Sequence, residues 1–148
     1  MTPRSSRGRV TPKDLVILMI AYGAGSLVHF IHNAEFLAEY PNMPAWLSRA
    51  DVYAAWLGMT AIGVAGYVLV SHGYRFAGLL LVAVYATLGL DSLGHYALAP
   101  MSAHSAAMNS TILLEVGTAA LLFARSLGLI AAWQAARTSR RWRDNEQK

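Results

Sequence analysis

The sequence contains no cysteine among its 148 residues. This absence excludes a disulfide framework, a cysteine–zinc site, a thiol nucleophile and a cysteine-bound iron–sulfur cluster. Charge is scarce as well, because Asp, Glu, Lys and Arg make up 14% of the chain, against about 25% in a typical soluble domain. Hydrophobic residues make up 55%. The missing charge leaves long apolar runs, so the composition predicts an integral membrane protein with a single domain.

Four apolar stretches are long enough to cross a bilayer, which takes about 20 residues in a helix. The predicted spans are residues 15–36, 52–70, 76–98 and 106–133. Short connections make consecutive spans antiparallel. We therefore predict an all-α integral membrane fold, an antiparallel four-transmembrane-helix bundle over residues 15–133, with basic tails over residues 1–14 and 134–148.

Basic residues are distributed unevenly between the two sides of the predicted membrane. The side that holds both chain ends carries Arg4, Arg7, Arg9, Lys13, Arg75, Arg137, Arg140, Arg141, Arg143 and Lys148. The other side carries Arg49 alone. Because loops rich in Lys and Arg stay in the cytoplasm, both termini are predicted to be cytoplasmic. The connections at residues 40–50 and 99–105 then face outside, in a bacterial inner membrane.

The net charge of +4 has its origin in the same basic ends. Such ends are attracted to anionic lipid by roughly 1 kcal/mol per Lys or Arg. The net positive charge is therefore explained without nucleic acid as a partner. The predicted partners are the lipid bilayer, an apolar small molecule and, in a larger complex, further membrane subunits.

Polar and ionisable side chains inside the predicted spans form the candidate site. Ionisable groups cost several kcal/mol in a bilayer unless they are paired, and they commonly mark functional positions. The set comprises His29, His32, Glu35, Asp91, His95, Asn109 and Glu115, with His104 in the last outer connection. All of them fall in the outward half of the predicted bundle. At 1.5 Å per residue, Glu115 lies about 10–13 Å below the outer end of its helix, and His29 and Asp91 reach a similar depth.

The chemistry of this set suits a metal ion. Imidazole and carboxylate groups without thiolate are ligands for zinc, iron or copper. Asp91 and His95 are four residues apart, so a helix presents both toward one point. The predicted assignments are His29, His32, Asp91 and His95 as metal ligands, Glu115 and Glu35 as catalytic acids, and His104 and Asn109 as further contributors.

Two short intervals have counterparts in known metal proteins. The spacing Asp91-x-x-x-His95 resembles one in membrane copper monooxygenase subunits and in polytopic zinc ceramidase-like hydrolases. His32-x-x-Glu35 reverses the Glu-x-x-His order of di-iron carboxylate bundles but keeps its spacing. Each likeness covers two residues, and neither assigns the chain to a family.

The predicted function is that of a small membrane-embedded metalloprotein. It would be a metal-dependent hydrolase or oxidoreductase that acts on an apolar or lipid-like substrate at the outer leaflet. One alternative is a transport or accessory subunit in which the acids and histidines relay protons or cations. A second is a b-type haem protein with His95 paired to His29 or His32. A third is metal-free acid–base chemistry, such as double-bond isomerisation, on the same residues.

The predicted orientation can be tested with reporter fusions. A reporter joined after Lys148 should give a cytoplasmic signal, and one inserted at Ser102 should give an outside signal, because of the Lys and Arg asymmetry. A C-terminal reporter that is active outside the cytoplasm would contradict this topology.

Overall fold

Residues 12–146 are described by the computed structural model, and all of their regular structure is helical. The helices are α1 (Lys13–Glu35), α2 (Arg49–Ser71), α3 (Arg75–Leu90), α4 (Gly94–Leu98) and α5 (Ala106–Glu146). Four stretches, α1, α2, α3 with α4, and α5, are long and apolar enough to cross a membrane. The predicted set of four apolar helices is therefore confirmed. Residues 1–11 and 147–148, which include most of the predicted tail over residues 1–14, lie outside the described residues.

The long helices pack around the bundle in chain order. α1 packs on α2, α2 on α3 and α3 on α5, and α5 returns to pack on α1. We call the end that bears the α1–α2 connection the outer end, and the end that bears the α2–α3 turn the inner end. Both names follow the predicted orientation.

The α2–α3 turn is the tightest connection in the bundle. Gly73 has a φ of 92°, a left-handed conformation that glycine adopts without steric cost. A Cβ atom at Gly78 in α3 would lie 2.7 Å from the carbonyl oxygen of Gly66 in α2, so the two backbones are in direct contact. Small residues permit such close approach in membrane bundles.

The inner half of the bundle interior is mostly apolar, with Ser126 of α5 as a buried polar side chain. Its largest fully buried side chains include Tyr22 and Leu15 of α1 and Leu122 of α5. The outer surfaces of the helices are apolar too, with large exposed side chains at Ile17, Ile20, Leu57, Val64, Leu80, Val84, Leu113 and Leu121. Helices that are hydrophobic all round belong to large protein cores or to membranes, so these surfaces are compatible with a membrane protein.

The third predicted span is not one regular helix. α3 ends at Leu90, a 3₁₀ turn covers Asp91–Leu93, and α4 resumes at Gly94. A 3₁₀ turn has about three residues per turn, fewer than an α-helix. Successive side chains along it therefore differ in direction from those along an α-helix. In this turn Ser92 is buried and Asp91 is exposed.

α5 extends beyond the predicted membrane span. The apolar pattern ends at Trp133, whose ring stacks on Phe76 with centroids 5.8 Å apart, but the helix continues to Glu146. Residues 134–146 contain no glycine or proline, so nothing in the sequence interrupts the helix. The exposure of every side chain in this segment shows that it projects from the bundle.

The α1–α2 connection covers the outer end of the bundle interior. Within it Tyr40 is buried and packs with Met108 and Ile112 of α5. Asn42 donates a hydrogen bond from Nδ2 to the carbonyl oxygen of Leu98 at 2.8 Å. This hydrogen bond attaches the connection to the end of α4. The connection also places the aromatic ring of Tyr40 over the bundle interior.

Gly63→Ala is expected to destabilise the bundle. A Cβ atom at residue 63 in α2 would lie 2.6 Å from the ring of Tyr85, which is itself buried, so the ring or the helix must shift. Overpacking of this kind costs about 1–3 kcal/mol. Gly58→Ala is the matched control, because a Cβ there meets nothing within 4 Å. Thermal unfolding in detergent should rank Gly63→Ala below both wild type and Gly58→Ala; three equal midpoints would contradict this packing.

Candidate functional site

Buried polar side chains gather in the outer half of the bundle interior. Ser26, His29 and Asn33 come from α1, Ser92 from the 3₁₀ turn and Glu115 from α5. The three α1 residues recur at intervals of three and four, which places them on one helix face. We call these five residues the polar layer.

Glu115 is at the centre of the polar layer. Its side chain is fully buried. Ser92 Oγ donates a hydrogen bond to Oε2 at 2.5 Å, and His29 Nε2 lies 3.7 Å from the same oxygen. The other oxygen, Oε1, has no hydrogen-bond partner among the described residues. Because an unsatisfied buried acceptor costs about 1–3 kcal/mol, a donor that reached Oε1 would be stabilised there.

Thr111 determines which nitrogen of neutral His29 holds the proton. The Thr111 hydroxyl donates to the carbonyl oxygen of Met108 at 3.0 Å, and it lies 3.3 Å from His29 Nδ1. Since a hydroxyl group has one hydrogen, Nδ1 is the donor in the second contact. The lone pair of Nε2 then faces Glu115, so a base and a carboxyl group are opposed in the bundle interior.

Aromatic rings surround Tyr40 at the outer edge of the polar layer. Its ring centroid lies 5.0 Å from that of His95, 5.8 Å from His32, and 6.4 Å from both His29 and His104. The Tyr40 hydroxyl is 3.0 Å from His32 Nδ1. One phenol therefore lies among all four histidines of the outer half.

His95 links this ring cluster to the polar layer. Its ring meets that of His29 edge to face, with centroids 5.4 Å apart. Its Nε2 lies 3.4 Å from Asn33 Nδ2. The amide oxygen of Asn33 has no partner among the described residues, so it is a second buried acceptor beside Glu115.

A cleft of about 350 Å³ opens beside the polar layer, between α1, α2 and the end of α3. Its apolar walls are Phe30, Ala55, Met59 and Leu88. Its polar lining comprises His29, Asn33, Asp91, Ser92 and His95. The cleft thus combines apolar surface with a few convergent polar groups, which is the usual composition of a small-molecule site.

The two acids predicted as catalytic lie in different places. Glu115 belongs to the polar layer, whereas Glu35 is exposed at the outer end. One Glu35 oxygen accepts a hydrogen bond from Arg49 and the other accepts one from Tyr53, both at 2.8 Å. Because both of its oxygens are engaged at the surface, Glu35 joins α1 to α2 and does not face the buried groups.

The predicted metal ligands are only partly brought together. Asp91 and His95 line the same cleft as His29, whereas His32 is absent from that lining and bonds to Tyr40 instead. Within residues 12–146 no three His, Asp or Glu side chains are arranged as ligands of one metal ion.

The two further contributors predicted from the sequence lie near the α4–α5 connection. His104 is buried, with Nδ1 3.1 Å from the carbonyl oxygen of Pro100. Asn109 accepts a hydrogen bond from Tyr96 at 2.9 Å and donates to the carbonyls of Met101 and His104. Asn109 therefore stabilises the connection, and His104 belongs to the ring cluster around Tyr40.

Several residues of the site were missed by sequence reasoning because they are neutral. Asn33 is four residues after His29, and Thr111 is four residues before Glu115, so their helical spacing was an available signal. Ser92 continues the buried face of α3, three residues after Gly89 and seven after Tyr85, so its helical spacing was an available signal too. Tyr40 lies in a connection, where no periodicity exists to identify it.

The fold and the site together define an all-helical bundle of four apolar helices with a buried imidazole–carboxylate layer. No protein-family model matches this chain, and no curated protein or solved structure matches it either. Its function is therefore inferred from the polar layer and the cleft themselves.

Proposed function

We propose that this chain is a membrane-embedded enzyme that transfers a proton to or from an apolar, lipid-soluble substrate in the outward half of the bilayer. The observation that supports this function most is the position of Glu115. It is fully buried directly behind Ser92 and His29, and both of these residues line the apolar cleft. A substrate in the cleft would meet an acid–base pair withdrawn from water.

The two titratable groups of the pair have different positions and so different roles. Nδ1 of His29 faces Thr111 and Nε2 faces Glu115, so a bound molecule would exchange its proton with Glu115 through the hydroxyl of Ser92, which lines the cleft and donates to that carboxyl group. His29, 3.7 Å from Glu115, would hold that proton or return it. General acid–base catalysis by positioned side chains contributes roughly 10²–10⁴-fold to a rate, and neither residue needs an ordered water to act.

The lining of the cleft indicates the class of substrate. Phe30, Met59 and Leu88 offer apolar contact, while the Asn33 amide and His95 lie together at the polar side. This combination fits a molecule with an apolar body and one carbonyl or hydroxyl group. A sugar-like substrate would leave most of its hydroxyl groups unpaired against the apolar walls, and an anionic substrate would meet the carboxyl group of Asp91.

A transition metal at the same site is the second candidate, and one distance favours it. His29 Nε2 and Glu115 Oε2 are 3.7 Å apart. Two donors that each lie about 2.0–2.2 Å from one ion are separated by about 3–4 Å. His95, whose ring contacts that of His29, would have to move to become a third ligand, because no three such side chains are arranged around one ion within residues 12–146. Zinc, iron or copper held there would supply Lewis-acid activation of water or substrate, or oxidation in the case of iron or copper.

The transport and haem alternatives receive less support from the geometry. The polar layer is not continued toward the inner end, where Leu15 and Leu122 fill the interior, so a relay across the bundle lacks its second half. The rings of His29 and His95 are in edge-to-face contact at 5.4 Å. That arrangement leaves no gap for a porphyrin between them.

This proposal includes the orientation inferred from the basic residues. With both termini in the cytoplasm, the cleft faces the outward leaflet of a bacterial inner membrane. Its partners are then the bilayer and an apolar molecule dissolved in it.

A bulky residue in the cleft should abolish retention of the substrate. Ala55 lines the cleft and its neighbour Ala54 does not, so Ala55→Trp fills the cleft while Ala54→Trp is the matched control. Protein isolated from its native membrane in mild detergent should retain an apolar compound that organic extraction and mass spectrometry detect. We expect Ala55→Trp to retain at least tenfold less, and Ala54→Trp the wild-type amount. Equal retention by the two variants would contradict the cleft as the substrate site.

A further inference from the structure

We infer that the cleft binds an amphiphilic ammonium ion, which is a molecule with an apolar body and a protonated amine head, and that Asp91 pairs with this head. The inference rests on the proposed function, because it takes the cleft as the site of the bound molecule. It adds a cationic head group to the apolar body that the walls of the cleft select.

Asp91 is an acid without a counter-ion. It lies in the 3₁₀ turn between α3 and α4, where its side chain is exposed and lines the cleft. None of the ion pairs within residues 12–146 includes it. Because an ionisable group in a membrane span is costly unless it is paired, a cation that reached Asp91 would be stabilised there.

The Lys and Arg side chains of the bundle do not supply that cation. Within the described part of the chain, Arg49 is the one such residue in the outer half, and its guanidinium group donates to Glu35 at 2.8 Å. Arg75 begins α3 at the inner end, about 24 Å from Asp91 at 1.5 Å per residue. A cation that pairs with Asp91 therefore comes from a bound molecule.

The histidines that line the cleft do not supply it either. His95 is four residues after Asp91, but its Nε2 lies 3.4 Å from Nδ2 of Asn33. An amide nitrogen only donates, so Nε2 accepts and the His95 ring is neutral. Both ring nitrogens of His29 face side chains of α5, so neither is directed at Asp91.

Asn33 gives the lining of the cleft a second acceptor. This residue is 7% exposed. Its Nδ2 is directed to His95, and its amide oxygen has no hydrogen-bond partner among the described residues. A primary ammonium group carries three N–H donors, more than one carboxylate oxygen engages. The amide oxygen of Asn33 is a suitable acceptor for one of the others.

The walls of the cleft favour an organic cation over a metal ion. No three His, Asp or Glu side chains within residues 12–146 are arranged as ligands of one ion, so Asp91 would hold a metal ion without a full set of ligands. Phe30, Met59 and Leu88 give the cleft, which has a volume of about 350 Å³, an apolar surface. An alkyl chain covers this surface, whereas a hydrated metal ion does not.

The experiment measures the binding of radiolabelled decylammonium and 1-decanol to the protein in nanodiscs of uncharged lipid at neutral pH. The two probes have the same alkyl chain, and binding in the cleft is defined as the part that Ala55→Trp removes. Asp91→Asn keeps the shape of the side chain and removes its charge. We expect it to weaken decylammonium binding by about tenfold or more, the worth of a hydrogen bond to a charged group, and to leave 1-decanol binding unchanged.

Glu39→Gln is the matched control for Asp91→Asn. Glu39 is also an exposed acid near the outer end, but it lies outside the lining of the cleft. This variant should bind both probes as wild type does. Unchanged binding of 1-decanol by Asp91→Asn would show in the same experiment that the cleft is intact.

The outcomes separate this inference from the proposed function. If 1-decanol binds in the cleft but Asp91→Asn binds decylammonium as tightly as wild type, or Glu39→Gln weakens it equally, the inference is overturned and the cleft remains the substrate site. If decylammonium shows no binding that Ala55→Trp removes, the inference is overturned as well. If neither probe shows such binding, the cleft is not a site for apolar molecules, and the proposed function is contradicted together with the inference.

Discussion

The carboxyl group of Glu115 lies inside four apolar helices, and the outer half of the molecule is arranged around it. Burial of a carboxyl group is costly unless its oxygens find partners. One partner is the Ser92 hydroxyl at 2.5 Å, which lies in the 3₁₀ turn between α3 and α4. The second neighbour is the His29 imidazole at 3.7 Å. The remaining oxygen has no partner among the described residues, so the site is satisfied on one side and can receive a donor on the other.

The cleft between α1, α2 and the end of α3 leads to this carboxyl group from the side of the bundle. Its apolar walls are Phe30, Ala55, Met59 and Leu88, so under the proposed function it suits a molecule that arrives from the lipid. Leu15 and Leu122 fill the interior between this site and the inner end. Under the proposed function, such a one-sided site serves chemistry on a membrane-dissolved molecule and not movement across the bundle.

Much of the fold could be predicted because the length of a run of apolar residues is a strong signal for a helix of that length. The site depended on details that a sequence pattern does not encode. The four spans follow from hydrophobic runs, and helical rise places His29 and Glu115 near one depth. Glu35 lies away from the buried groups because a helix-end carboxylate has surface partners, here Arg49 and Tyr53, that sequence spacing does not reveal. Ser92 carries no charge and so was not predicted, although it follows the buried face of α3 through Tyr85 and Gly89. Tyr40 enters the interior from a connection, where no periodicity applies.

The most direct measurement of the central claim is the rate at which the purified protein converts the compound it retains, for wild type, Glu115→Gln and Glu35→Gln. Glutamine keeps the shape of the side chain and still accepts the Ser92 hydrogen bond, but it cannot hold the transferred proton. We predict that Glu115→Gln retains the compound as wild type does and converts it at least 100-fold more slowly, within the range of general acid–base catalysis. Glu35→Gln, whose acid is paired at the surface, should convert it at the wild-type rate. Conversion by Glu115→Gln at the wild-type rate would contradict the account.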